Sequence, residues 1–440
     1  MSTLEFGLVQ SIFTLGGLIG ALAAGPFSNN RGRLLSMRLN TIPTIIGPIL
    51  SALAPSVALM SVGRLLSGIG AGAALVVVPI YISEIAPPES KGFYGSFTQI
   101  MTNVGILTTQ VLGYFLSHDS MWRAILAVAG GIAVVQAIAL VLALESPRWL
   151  AERGQAKQAR DNLHKLRGTT EGIDDEVKAL GIKSSSHSEH GDEEHSALLP
   201  PATDSPNNPP TKINGDQDQP HHLSFVAVLT SPRYRPAILT VILIMAAQQL
   251  TGINSIVMYG VGLLSSLLSS SSALLNIFVS LVNVVCTTAF APLSDNPKLG
   301  RKGVLLLSIA GMSISSILLG IGISASIKVL SAVCVLLFVA SFALGLGPVP
   351  FMIASEMVDG PGIGATQSWS LGANWIATFV VAQFFPVVNK ALGNGVVYFV
   401  FCGLGVAFFV LIWRYVPETR GKKSMDEVWG FEVGQDVHQD

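Results

Sequence analysis

The sequence predicts an all-α membrane protein made of two helical bundles, and three observations predict it. Half of the 440 residues are hydrophobic and 12% are charged, about half the charged share of an ordinary soluble domain, and mean hydropathy is +0.57. Apolar runs of about 20 residues, the length a helix needs to cross a bilayer, recur along the chain. One long polar stretch divides these runs into two groups. A formal net charge of -1 and a pI near 6.7 leave no basic surface for nucleic acid.

The first group of runs falls at residues 8–27, 35–56, 60–84, 94–117 and 122–144. No basic leader precedes the first run, and no small-residue cleavage site separates it from Arg31 and Arg33, so it reads as a span and not as a signal peptide. The second group falls at 235–262, 272–293, 303–324, 328–354, 367–388 and 395–416, which makes eleven expected spans, five and then six. Arg31, Arg33, Lys91, Arg148, Lys298, Arg301, Lys302, Arg420 and Lys422 fall on one side of these spans; Lys328 and Lys390 fall on the other. The positive-inside rule places the first side in the cytosol.

The expected domains follow. Residues 1–145 form an N-terminal bundle, 146–170 a cytosolic amphipathic helix with helical spacing over 151–167, and 171–222 a disordered acidic loop with almost no apolar residues. Residues 223–416 form the C-terminal bundle and 417–440 a cytosolic tail. Cys286, Cys334 and Cys402 lie in apolar runs, where buried thiols are expected and a disulfide framework is not.

The two bundles repeat each other's punctuation. Gly32-Arg33 matches Gly300-Arg301 at an offset of 268, Glu84 matches Glu356 at 272, and Glu145 matches Glu418 at 273. Two parallel halves with a ligand site between them is a transporter plan. The same offset carries the counterpart of the 235–262 span below residue 1, so the first helix of a six-plus-six plan is expected to be missing.

Polar side chains inside the spans mark the candidate site. Gln99, Asn103 and Gln110 stand at i, i+4 and i+11, within about 40° of one helix face. Ser280, Asn283 and Thr287 form a second stripe, Asn374 stands beside Trp375, and QQLTGIN begins at Gln248. Helix–helix hydrogen bonding is the plain reading of such residues, and it is the reading for Gln110. Neutral amides beside an aromatic wall also suit an uncharged polyhydroxylated ligand, because an amide both donates and accepts. Gly252 permits a helix break in QQLTGIN, and Pro348 and Pro350 interrupt the GLGPVPF span, as a hinge or as a static kink.

The chain carries GRLLSGIGAGAALVVVPIYISEIAP from Gly63, ESPRWL from Glu145, QQLTGIN from Gln248, GRK from Gly300 and PETRGK from Pro417. In these motifs it resembles the sugar porters of the major facilitator superfamily, fungal members most of all. The resemblance implies the two-bundle major facilitator fold, with helix 1 of the usual twelve missing here. It implies substrate contacts at Gln99, Gln248, Gln249, Asn254, Asn283 and Asn374, walls at Phe351 and Trp375, and hinges at Gly252, Pro348 and Pro350. Phe351 stands where mammalian glucose facilitators carry tryptophan, which leaves the sugar's identity open.

The resemblance also implies a cytosolic charge network that gates the transport cycle. Its members are Arg33, Glu84, Glu145 and Arg148 in the first half and Arg301, Glu356, Glu418 and Arg420 in the second. Asn29 replaces the family's usual aspartate and Leu34 a usual basic residue, so the first half's latch is expected to be the weaker.

The function so implied is transmembrane transport of a hexose or related sugar or polyol by alternating access. Facilitated diffusion and proton symport both stay open, because the family's proton-carrying aspartate lies on helix 1 and its arginine partner aligns with Arg64. No covalent chemistry, cofactor or metal is implied; the partners are the solute, membrane lipid and, in a symporter, protons. A nutrient sensor without transport and a truncated inactive carrier are the alternatives, though the tail of about 24 residues is shorter than the long tails of sensors in the family. In EHSALLP, Glu194 stands four residues before Leu198-Leu199 and matches an acidic dileucine signal for adaptor complexes; with that signal read, the expected location is a vacuolar or lysosome-like membrane, and without it the plasma membrane. His187, His190, His195, His221 and His222 are irregularly spaced without cysteines, and a metal site is not expected there.

Overall fold

The computed structural model describes residues 3–118, 120–168, 176–177, 227–258, 272–358, 360–393, 395–422 and 424–430. Glu194, Leu198 and Leu199, the five loop histidines, most of the expected loop over 171–222 and the end of the tail lie outside the described residues. The chain divides into a large unit, Met1–Glu145 with His222–Asp440, and a small unit, Ser146–His221.

The first half of the large unit contains α1 (Thr3–Arg31), α2 (Arg33–Leu53), α3 (Val57–Ile85), α4 (Lys91–Leu116) and α5 (Trp122–Ala139). Among the described residues nine helical segments are long and apolar enough to cross a membrane, and α2 and α4 are the expected spans not among them. Their sequences give the reason: α2 carries Arg33, Arg38, Asn40 and two prolines, and α4 carries Gln99, Asn103, Gln110 and four threonines. Of these two, α4 owes its polarity to the amide stripe that supplies candidate site residues. Helix α1 packs on α3 through Gly16 and Gly20 against Gly68 and Gly72, where any Cβ would overlap the facing backbone. Small residues at this spacing let membrane helices approach closely, since lipid supplies no hydrophobic drive for their association.

The small unit holds α6 (Pro147–Glu152) and α7 (Ala156–Arg167), with Leu150, Ala159, Leu163 and Val177 as its own core. One continuous helix was expected over 151–167. Two form instead, because Gly154 takes a φ of 74°, which ends α6 before α7 begins. Ser146 caps α6 by accepting from Trp149 N at 3.2 Å, with Pro147 in the first turn, where its missing N–H is harmless.

The second half of the large unit contains α8 (Arg235–Leu250), α9 (Ser272–Phe290), α10 (Gly300–Ser324), α11 (Lys328–Leu344), α12 (Val349–Glu356), α13 (Gly360–Leu392), α14 (Val397–Tyr415) and the short α15 (Met425–Trp429). Two of its spans are broken. After α8 the chain turns at Thr251-Gly252 and resumes as helix over 253–258. Gly252 has a φ of 100°, and a Cβ there would stand 2.6 Å from the Phe401 ring, so both backbone and packing demand glycine. The other break separates α11 from α12 at Gly345–Pro348; Pro350 is the second residue of α12. Helix α1 packs on α13 and α4 on α9, which joins the two halves.

Candidate functional site

The α11–α12 break creates the polar demand around which the site is built. Pro350 has no N–H to give the carbonyl four residues before it, that of Leu346. Gln248, buried at the end of α8, supplies the replacement: its Nε2 donates to Leu346 O at 2.8 Å and to Gly347 O at 2.9 Å. Gln248 Oε1 accepts from Asn374 Nδ2 at 2.6 Å and from Gln249 Nε2 at 3.2 Å. Gln249 Nε2 also reaches Asn374 Oδ1 at 3.2 Å, and Asn254 Nδ2 donates to Gln249 Oε1 at 2.5 Å. A continuous line of amides thus runs from Asn254 through Gln249 and Asn374 to Gln248 and the turn.

The members of this line are not equivalent. Gln248 has two donors and two acceptor sites, and the protein occupies all four. Asn254 and Gln249 are only partly buried, and Asn254 Oδ1 stays outside the line. Ser308, a residue that sequence reasoning missed, holds the same turn from α10 by accepting from Leu346 N at 2.9 Å and donating to Ser341 O at 2.6 Å. Ser308 is one of five serines in α10, and nothing in their spacing sets it apart from the others.

A second cluster joins the halves. Gln99 Nε2 donates to Asn103 Oδ1 at 2.9 Å, Asn283 Nδ2 donates to the same oxygen at 3.2 Å, and Asn103 Nδ2 donates to Thr287 Oγ1 at 2.9 Å. All four residues are buried between α4 and α9. Asn103 was expected only as a member of a polar stripe, yet it is the junction. A Cβ on Gly347 would lie 3.4 Å from Gln99 Cγ, so this cluster reaches the turn that Gln248 holds. Phe351 is buried in α12, and Trp375 stands edge-on to Phe13 with ring centroids 6.0 Å apart. The Trp375 Nε1 is buried with no hydrogen-bond partner. Arg64 places its guanidinium 5.9 Å from the Phe13 ring centroid, and its Nε is likewise buried without a hydrogen-bond partner.

The end that carries Arg33 and Arg301 repeats one design twice. Arg33 and Glu84 pair at 2.7 Å, and Arg301 and Glu356 pair at 2.7 Å. Glu145 accepts from Arg33 N and Leu34 N at 3.1 Å, and Glu418 accepts from Arg301 N at 2.9 Å and Lys302 N at 3.1 Å. These two glutamates therefore cap the first turns of α2 and α10, whose backbone donors have no helical partner. The arginine side chains meet Glu84 and Glu356, so each ion pair stays within its own half. Arg420 Nε donates to the Asp295 carbonyl at 2.7 Å. Arg148, named above as a member of the charge network, belongs to the small unit and pairs with Glu152 at 3.3 Å, one turn along its own helix.

Bonds between the halves at this end come from other residues. Asp295 Oδ2 accepts from Phe93 N, in the first turn of α4, at 3.0 Å, and Ser368 Oγ accepts from Gly25 N at 3.0 Å. Asn29 lies against Gly364 near the start of α13, the position in the first half that parallels Asp295 in the second. A negative charge at a helix N-terminus stabilises by about 0.3 to 1 kcal/mol, and the neutral Asn29 lacks that charge. Asp295→Asn should shift the equilibrium about two- to fivefold toward the form open at this end, and Asn29→Asp should shift it back. Spin-label distances between the ends of α2 and α10 would read the shift; distributions identical to wild type in both variants would refute it.

The description "Sugar (and other) transporter" belongs to a family model that matches residues 1–429. The chain is a member of that family. It is 32% identical to a probable metabolite transport protein of Saccharomyces cerevisiae, over 97% of this chain and 82% of that one. It is also 32% identical to plastidic glucose transporter 4 of Arabidopsis thaliana, over 97% of this chain and 73% of that one. The fold matches the major facilitator proton:xylose symporter XylE bound to 6-bromo-6-deoxy-D-glucose, with a TM-score of 0.78, 24% identity, and coverage of 97% of this chain and 89% of that one. The protein is thus a multi-pass membrane transporter with the two-half fold that its internal repeat predicts.

Proposed function

We propose that this transporter carries a neutral hexose or a related polyol across its membrane by alternating access of its two halves. The observation that carries the reading is the convergence of neutral amides from both halves, Gln99 from the first and Gln248, Gln249, Asn254 and Asn374 from the second, on one broken-helix turn. Asn254, Gln249 and Asn374 offer paired donors and acceptors to vicinal hydroxyls, Trp375 offers a ring face and an unpaired N–H, and Phe351 closes an apolar side. No charged group takes part in either cluster, which disfavours an ionic solute. Gln248 and Ser308 act on the turn, so solute contact and the α11–α12 break share one hydrogen-bonded assembly. No covalent step is involved.

Reconstitution in proteoliposomes tests the proposal. Radiolabelled hexoses and polyols should enter saturably and compete with one another, and uphill accumulation under a pH gradient separates proton symport from facilitated diffusion. Saturable binding without entry would mean a sensor, and the proposal would be wrong.

We further propose that Leu198-Leu199 with Glu194 directs the protein to a vacuole-like membrane through an adaptor complex. Alanine at both leucines should move a fluorescently tagged protein to the cell surface. An unchanged distribution would remove the signal from the account.

A further inference from the structure

Gln367 differs from the amides of the two clusters. It lies on α13 seven residues before Asn374 and is 0% exposed. Among the described residues it is the one side-chain amide whose oxygen and nitrogen are both buried without a hydrogen-bond partner. Seven residues are nearly two helical turns, so Gln367 shares the face of Asn374, rotated by about 20° and displaced by about 10 Å toward the Arg33 and Arg301 end. Ser370, buried between them, donates to the Gln367 carbonyl and leaves its amide untouched.

The surroundings place this amide in a definite part of the molecule. Ser368 bonds to Gly25, and Gly364 lies against Asn29, so α13 meets the first half immediately beside Gln367. The segment is therefore covered where the two halves touch at the basic end, which the positive-inside rule puts in the cytosol. A buried amide without a partner destabilises the state that buries it, since both ends have given up water and gained nothing. Separation of the halves at this end would expose the face to water and relieve that cost.

We propose that Gln367 lines the cytosolic leg of the solute path and engages the solute's hydroxyls as it leaves Asn374 for the cytosol. The proposal rests on the neutral sugar or polyol reading above. An amide that donates through Nε2 and accepts through Oε1 matches a vicinal diol, and the shared face places it next in line after Asn374. In the form with the basic end closed it is out of the solute's reach, so it acts on one side of the membrane only.

Two measurements test this. In oriented proteoliposomes, Gln367→Leu should raise KM on the cytosolic face about fivefold or more while the outer-face KM stays within about twofold, and Gln367→Asn should recover part of the loss. No change, or an equal change on both faces, overturns the solute contact. Gln367→Cys, with Cys286, Cys334 and Cys402 replaced by alanine, should react with a membrane-impermeant thiol reagent from the cytosolic face and not from the outer face. Absence of cytosolic labelling in a variant that is folded and inserted overturns the path assignment whatever the solute is. If wild type carries no hexose or polyol, the function proposal fails by itself, and labelling still decides whether Gln367 lines a path.

Discussion

Replacing Arg33 by leucine should destabilise the folded protein by about 3 to 5 kcal/mol. The side chains of Arg33 and Glu84 are each 1% exposed and pair at 2.7 Å. Removing the arginine leaves a buried carboxylate with its main partner gone, and this stranded charge, more than the lost attraction, sets the size of the effect. An Arg33→Met/Glu84→Leu double variant should therefore recover most of the loss, because neither charge is then buried alone. Arg301→Leu should cost less, since Glu356 is 21% exposed and keeps the Thr419 hydroxyl at 2.7 Å. Thermal unfolding of the detergent-solubilised protein measures all three. A double variant as unstable as Arg33→Leu, or an Arg301→Leu variant worse than it, would contradict the account.

The second large effect separates Gln248 from Asn254. Gln248→Ala should leave the carbonyls of Leu346 and Gly347 buried and unbonded, lowering stability by about 1 to 3 kcal/mol and loosening the α11–α12 turn. Its signature is a lowered melting temperature without solute, together with slower transport. Asn254→Ala should instead weaken solute binding by about five- to a hundredfold while the unliganded protein melts as wild type does. Melting curves with and without saturating solute distinguish the two. If Gln248→Ala melts normally and loses only affinity, Gln248 is an ordinary solute contact and the turn is held by other groups.

Much of this architecture could be read from residue type and order. Spans were legible because crossing a bilayer requires a length of apolar chain that stands out in any window, and the repeat was legible because Gly32-Arg33 and Gly300-Arg301 keep the same punctuation. The break at Gly252 was legible because glycine is the residue that takes a positive φ without strain, and the chain uses it with a φ of 100°. The split between α6 and α7 was not, since Gly154 sits in a stretch whose charged residues satisfy a helical period on both sides. The backbone donors that Glu145 and Glu418 accept from were not legible for a related reason. Charge signs suggest side-chain pairs, but the backbone N–H groups of a helix start are invisible in a list of residues.

The sequence by itself determined the family, the membrane, the two repeated halves and the set of polar residues available to a neutral solute, because those follow from composition, spacing and motif. Only the tertiary structure decided which amide does what. Gln248 and Gln249 are adjacent and chemically identical, yet the first is buried and spends its donors on the turn that Pro350 leaves short of a partner about a hundred positions later, and the second is only partly buried. Asn103 and Asp295 likewise acquire their roles from α9 and α4 across the boundary between halves. A hydrogen bond is directional and short, so its partner is set by where the chain returns in space.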